Sequence, residues 1–352
     1  MEKVSKIFEG KTIGLDVSDR SSVVCVLDED GEVIEESTIR TTPSSIRSRF
    51  GSRERMRVVL ETGVHANWLH DELESLGHDV VVANARRVRA ICEADHKNDR
   101  SDAEQLARLG RADVRLLSPV DPRSVETRKD LEVMRARSLL VEVRTRLVNH
   151  VRGAVKPMGT QLPKCSTECF HRLELPTELG AELKPMMEMI RSTSAAIEAY
   201  DEQITALAAK YPQAGVLRQV KGVGPVTSVC YVLTIGDPGR FKDSRQVAAY
   251  LGLTPGQRQS GDSDPKQRIT KSGDPMLRTL LVQSAQYILR RSSPDTALKH
   301  FGTRLAQRGG KGSKPRAVVA TARKLSVLLL ALWKSGELYE PLRGSSKTPP
   351  KS

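Results

Sequence analysis
The sequence predicts an α/β domain at the N-terminus, a helical middle and a mostly α-helical C-terminal domain. Three observations carry this. Short apolar, β-branched runs alternate with helical patterns over residues 12–83. Two long stretches, 123–154 and 177–210, repeat apolar residues at helical spacing. Charge is segregated: residues 213–352 carry 24 Lys+Arg against 8 Asp+Glu, whereas residues 1–212 carry 32 against 35. The expected boundaries are 1–155, 156–212, 213–342 and a polar, Pro-bearing, disordered tail at 343–352.

Residues 12–18 (Thr-Ile-Gly-Leu-Asp-Val-Ser) read as a buried strand ending in an acid, Asp16. Residues 22–27 form a second strand, the turn 28–31 has hairpin composition, and 32–39 form a third. A short basic helix is expected at 43–50. The strand at 56–63 carries Glu61 near its end. Trp68, Leu69, Leu73 and Leu76 then mark an amphipathic helix over 64–76, which Gly77 closes. Another strand follows at 78–83. Strand, helix, strand at this spacing implies a parallel βαβ unit. A β-meander opening with an Asp in its first strand begins the ribonuclease-H-like fold. It also begins the actin/sugar-kinase fold, but that reading needs Gly-rich phosphate loops after strands, and the sequence has none.

Asp99 and Asp102 stand three apart at the start of the next helical run, so both fall on one face. Asp is also favoured in any first helical turn, which is the plainer reading of this pair. Asp16 and Glu61 change the weighing, because ligands of open α/β sheets collect at the carboxyl ends of strands. Four acids from three separated segments could hold two Mg²⁺ ions and clamp an in-line phosphoryl displacement.

The helix at 123–154 is rich in Arg. The one at 177–210 spaces Leu183, Met186, Met187, Ile190, Ile197, Ile204 and Leu207 by three, four and seven. That coiled-coil-like pattern fits either an intramolecular hairpin or a dimerisation arm. Further on, Lys221-Gly222-Val223-Gly224 reads as the turn of a helix-hairpin-helix, whose backbone N–H groups meet a nucleic-acid phosphate. A polar loop holds Arg258 and Ser260, followed by Arg268 and Lys271. Those cations would offset charge developing at phosphorus if Ser260 attacked a phosphodiester. The same spacing also fits an ordinary loop serine. Gly309 to Arg316, with Lys311 and Lys314, lacks the ending of a P-loop and reads as a backbone contact to nucleic acid.

The net charge is +13 and aromatics make up only 4%. A concentrated basic domain is the footprint of a phosphate-backbone binder. No apolar run reaches membrane-spanning length; the longest, 325–333, sits in a helical pattern. The N-terminus leads into no signal-peptide-like stretch. Five scattered cysteines read as reduced thiols of a cytoplasmic protein, with no second Cys/His pair to complete a zinc site around Cys165, Cys169 and His171.

Taken together, Gly14-Leu15-Asp16, Leu60-Glu61-Thr62-Gly63 and Asp99-Arg100-Ser101-Asp102-Ala103 resemble the acidic DEDD site of a RuvC-like domain. The later run, from Gly222-Val223-Gly224 through Ala249-Tyr250-Leu251-Gly252-Leu253-Thr254-Pro255 to Ser260-Gly261 and Lys271-Ser272-Gly273, resembles its partner transposase domain. In this order the motifs resemble the IS one-hundred-and-ten family of insertion-sequence recombinases, relatives of the pilin gene inverting protein. The resemblance implies that Asp16, Glu61, Asp99 and Asp102 are metal-binding acids using Mg²⁺, and that Ser260 is the nucleophile. It also implies a bridge RNA that pairs with donor and target DNA, and a homotetramer in which the acids of one protomer complete the serine site of another. A prokaryotic cytoplasm with nucleoid association follows. The motif positions show no departure from the family; the usual acid before the serine is Gln259 here, at a position not expected to carry chemistry. Two other functions fit the same residues: a hydrolytic RuvC-like nuclease with Ser260 a bystander, and a non-catalytic nucleic-acid-binding protein.

Overall fold
The structure is a computed structural model that describes residues 10–85, 88, 99–175, 180–257, 267–310 and 312–343. The chain divides into two compact units, Met1–Ser124 and Val125–Ser352. The break falls well before the boundary expected at 155. Within the second unit, the 123–154 helix buries its apolar side against helices that follow it.

The first unit holds five strands: β1 (Thr12–Val17), β2 (Ser21–Leu27), β3 (Val33–Arg40), β4 (Arg57–Glu61) and β5 (Asp79–Ala83). Their order is β3-β2-β1-β4-β5. β1 is antiparallel to β2 but parallel to β4, and β5 continues the parallel half. This mixed sheet is consistent with a RuvC-like domain.

Side chains alternate across a strand. Ile13 and Leu15 of β1 and Val58 and Leu60 of β4 therefore share one core with Ile46, Phe50, Leu69 and Leu73, which come from α1 (Pro43–Phe50) and α2 (Ala66–Ser75). Gly14, Asp16, Val59 and Glu61 fall on the opposite face. That face is covered by α3 (Asp99–Ala112), whose Ala103, Leu106 and Ala107 are buried there. The contact is close. A Cβ on Gly14 would lie 1.8 Å from the Ala103 carbonyl oxygen and 2.7 Å from the Ala107 nitrogen. A Cβ on Gly110 is itself blocked by Val59 at 2.3 Å.

The second unit begins with α4 (Val125–Ala154) and α5 (Gly180–Lys210), two long helices packed as an antiparallel hairpin. The apolar positions read from the sequence are used inside this hairpin: Leu183, Met187 and Ile190 meet Val148, Val151 and Phe170 in a small core at its far end. Leu131, Met134, Ile204 and Ala208 instead join the main core at its base. There the Asp130 carboxylate accepts hydrogen bonds from Lys210 Nζ and Tyr211 Oη, both at 2.6 Å. Lys210 also pairs with Glu126 at 2.9 Å.

The main core is helical: α6 (Pro212–Leu217), α7 (Pro225–Ile235), α8 (Gln246–Tyr250), α9 (Pro275–Ile288), α10 (Ala297–Gln307) and α11 (Ser313–Ser335). From Thr227 to Ile235 every side chain of α7 is buried. Its fully buried Tyr231 donates its hydroxyl to the Ser326 carbonyl at 2.7 Å, which satisfies the one polar atom that burial would otherwise strand. The tail from 344 lies outside the described residues.

Gly14→Ala drives a methyl into the α3 backbone, which has no side chain to rotate away. It should destabilise the first unit by about 1–3 kcal/mol or more. Gly63→Ala, where a Cβ meets nothing within 4 Å, should change stability by less than ~0.5 kcal/mol. Urea unfolding of the two variants checks this. A second expectation concerns acid. Burial alone would raise the Asp130 carboxyl, but hydrogen bonds from Lys210 and Tyr211 prevail and hold it below its ordinary value of 3.8. The ionised form therefore stabilises the hairpin base above pH ~4, and that contribution disappears as pH falls through the lowered pKa. Asp130→Asn should unfold at lower denaturant at pH 7 and lose part of the wild-type acid dependence, measured by circular dichroism between pH 2 and 7.

Candidate active site at the carboxyl edge of the sheet
Asp16 is the fifth residue of β1 and Glu61 the last of β4. The two strands are parallel neighbours, paired up to Leu15 and Leu60. One step further along that register brings Asp16 beside Glu61. Both are half-buried, and both belong to the α3 face by the alternation described above.

The direction of α3 supplies the rest. Ala103 and Ala107 rest on Gly14, while Gly110, nearer the helix end, rests on Val59. The Arg57 guanidinium, at the start of β4, donates to the Gly110 carbonyl at 3.3 Å and pairs with Asp79 at 2.7 Å. The helix thus runs against β1 and β4, and its first turn lies toward their carboxyl ends. Asp102 precedes Ala103 directly and is half-buried; Asp99 is the first helical residue and is exposed. The fold therefore brings all four sequence-predicted acids to one edge and one face. Their side chains do not close into a cage: among the described residues, no three His, Cys, Asp or Glu side chains form a metal-holding group. The donor chemistry, carboxylates only, suits a hard divalent cation. Such an ion would have to draw these side chains inward.

One feature of this edge escapes sequence reasoning. His65, four residues past Glu61, lies 3.2 Å through Nε2 from an Asp19 carboxylate oxygen, three residues past Asp16. Its Nδ1 accepts the Trp68 indole N–H at 3.0 Å, with the rings edge to face. An accepting Nδ1 leaves the proton on Nε2, which then donates to Asp19. This bond ties together the two loops that follow the acid-bearing strands. The His-x-x-Trp spacing at a helix start was the available signal, but nothing local identifies Asp19 as the partner.

In the second unit, segments 252–256 and 268–271 form a clasp. Gly256 N donates to the Arg268 carbonyl, Thr270 N to Thr254 and Lys271 N to Gly252. Gly252 has φ +66°, and a Cβ there would meet the Ser272 nitrogen at 2.4 Å; one on Gly273 would meet the Tyr250 carbonyl at 2.3 Å. The glycines of both motifs are thus required by backbones crossing. Arg278, not singled out in the sequence, donates to the carbonyls of Leu251 and Gly273 at 3.1 Å each and locks the crossing.

Arg268 and Lys271 stand exposed on this clasp. Arg258 and Ser260, on the excursion it closes, lie outside the described residues, as does Lys311. Gly222 has φ +97° and packs on Tyr287 and Ile288, so its lack of a side chain answers to packing as well as to turn geometry. Gly224 caps α7 and Lys221 is exposed beside it. Because α9 has 14 residues, its two ends stand ~20 Å apart. The Lys221–Gly224 turn at one end is therefore not brought together with the Arg268–Lys271 clasp at the other. Lys314 is exposed in the first turn of α11.

Comparison with known proteins places both regions. Residues 13–158 match the model of the DEDD transposase domain of IS110 elements, and residues 214–300 match that of the transposase IS116/IS110/IS902 family. A transposase for insertion sequence element IS1111A from Coxiella burnetii is 30% identical over 94% of this chain and 91% of its own length. A probable family 20 transposase from Pseudomonas aeruginosa is 29% identical over 94% of the chain and 98% of its own length. The pilin gene-inverting protein of Moraxella lacunata is 31% identical over 43% of the chain and 47% of its own length. With both family domains present in order and a transposase matched almost end to end, the chain belongs to the IS110 family of insertion-sequence transposases, enzymes of DNA transposition.

Proposed function
We propose that this transposase cuts and rejoins donor and target DNA through a phosphoserine bond at Ser260, with Asp16, Glu61, Asp99 and Asp102 as the acids that assist. The observation that carries the reading is the placement of those acids at one edge and face of the sheet. In the proposed step the Ser260 hydroxyl oxygen attacks phosphorus, its proton leaves to a base, and the displaced strand oxygen departs and is protonated. Rejoining is the reverse step with a different strand hydroxyl, so the energy of the phosphodiester is kept and not lost to water. When bound at the four carboxylates, Mg²⁺ would lower the effective pKa of the hydroxyl and neutralise phosphate charge.

The chain's own contributions are more direct. Asp16 and Glu61 hold the strand-end position, α3 delivers Asp99 and Asp102, and the Asp19–His65 bond fixes the spacing of the two loops. The clasp at Gly252–Gly256 closes the base of the Ser260 loop, and Arg268 and Lys271 on it meet the phosphate backbone. Lys221, Gly222, Gly224 and Lys314, with Arg258 and Lys311, extend that contact. The reading further includes a bridge RNA as guide and a homotetramer in which acids and serine meet between protomers. It places the enzyme in the bacterial cytoplasm, at the nucleoid. No described helix is long and apolar enough to cross a membrane.

Ser260→Ala, supplied with guide RNA, both DNAs and Mg²⁺, should give no protein–DNA adduct on a denaturing gel and no recombinant product. Recombination at the wild-type rate would reject the covalent mechanism, and cleavage without adduct in the wild type would favour the hydrolytic nuclease. Asp102→Asn should cut strands at least ~100-fold more slowly, since an amide cannot supply the charge that holds the ion. Its nucleic-acid affinity should stay within about threefold, because affinity draws on the wider basic surface. Filter binding and a cleavage assay run on the same preparation separate the two effects.

A further inference from the structure
The far end of the α4/α5 hairpin carries a feature that the catalytic reading does not use. Residues 144–172 hold six Lys and Arg against a single acid, Glu168, whereas the remainder of 125–210 holds seven against eleven. Positive charge is thus concentrated at the turn of an otherwise acidic arm. At that turn lies a groove of about 570 Å³, lined by Arg152, Lys156, Gly159, Gln161, Lys164 and Cys165 among others, with no acid in its wall.

The groove is a built feature. Arg152 donates to the Cys165 carbonyl at 2.7 Å and stacks over the Phe170 ring at 5.2 Å, which fixes one wall to the small core beneath. Gly159, at φ +73°, turns the chain back after α4. From there residues 161–165 run without regular structure. Among the described residues, the amides of Gln161, Leu162, Lys164 and Cys165 donate to no other group of the chain. Lys156 and Lys164 are exposed and make no ion pair among the described residues. Cations and spare backbone donors on one concave wall are what a phosphodiester backbone requires.

We infer that this groove is a second nucleic-acid-binding site, which grips the sugar–phosphate backbone at a distance from the main basic domain. Met134 belongs to the main core and Val155 to the core at the tip. The helix between them is ~30 Å long. A duplex held at both places would therefore be spanned over about nine base pairs, at 3.4 Å per step. The occupant is RNA or DNA; both present the same backbone. The inference does not depend on the metal site, and its test reads binding alone.

Full-length protein in EDTA, so that cleavage does not enter, is titrated onto a fluorescent 30-base-pair DNA duplex and onto a 30-base-pair RNA hairpin at several salt concentrations. The variant Lys156→Gln/Lys164→Gln is compared with Lys129→Gln/Arg135→Gln, which removes equal charge from the shaft. The tip variant should bind several-fold more weakly than the shaft variant to at least one of the two. The slope of log affinity against log salt should flatten by about two. Which nucleic acid responds identifies the occupant. Lysine acetylation footprinting of the unmodified protein gives an independent reading: Lys156 and Lys164 should be protected in the complex. Equal affinities and slopes for the two variants, with both lysines as reactive in the complex as in free protein, overturn the site. Protection by an acidic peptide but by neither nucleic acid would also overturn it.

Discussion

The first unit depends on one contact: the backbone of α3 lying directly on Gly14. A Cβ at that position would sit 1.8 Å from the Ala103 carbonyl, and no rotamer change relieves a clash with backbone. Ala103 and Ala107 keep the helix side equally thin. This closeness has a geometric consequence. A helix held so near the strand has little freedom to slide, because Gly110 over Val59 and Arg57 on the Gly110 carbonyl fix its other end. Its first turn is then delivered to the carboxyl ends of β1 and β4. Small residues in the middle of the interface thus decide where acids at its end come to stand.

The sequence made much of this legible. The strands are legible as β-branched runs with Asp16 and Glu61 at the ends of two of them; that the two acids share a face follows only from the register of β1 with β4. The pairing of Asp99 with Asp102 followed from helical spacing. What local pattern could not give was the direction of α3 across the sheet, since that is set by the Gly14–Ala103 contact between distant residues. Likewise the apolar face of the 123–154 helix is visible in sequence, but not which core receives it. Spacing by three, four and seven alone does not distinguish a hairpin from a dimerisation arm. The apolar positions of the two long helices pack against each other at the tip and into the main core at the base, while Leu139 and Met189 remain exposed. Gly222 is legible as the turn glycine of a helix-hairpin-helix, and Gly252 only as part of a motif. The structure adds that neighbouring atoms exclude a side chain at both. The His65–Asp19 partnership spans 46 residues, which no local pattern reveals.

Charge is distributed unevenly between the units, and this bears on how nucleic acid is handled. The acids of the first unit need a cation to approach phosphate at all. The second unit, with its excess of Lys and Arg, needs none. An enzyme that joins strands must hold them before, during and after the bond changes, and a hold that does not rely on the reacting groups suits that need. In the proposed reading, the clasp that closes the Ser260 loop and the hairpin tip are two separate places for such a hold.

The central claim is that acids from three segments share bound metal at the sheet edge. Iron(II)-directed backbone cleavage tests it most directly: Fe²⁺ replaces Mg²⁺, and peroxide with ascorbate then cuts the chain close to the ion. The account predicts cuts at residues 14–18, 60–63 and 99–103 together, with all three lost in Asp102→Asn. Cuts confined to one of these segments, or a pattern unchanged by the substitution, would contradict it.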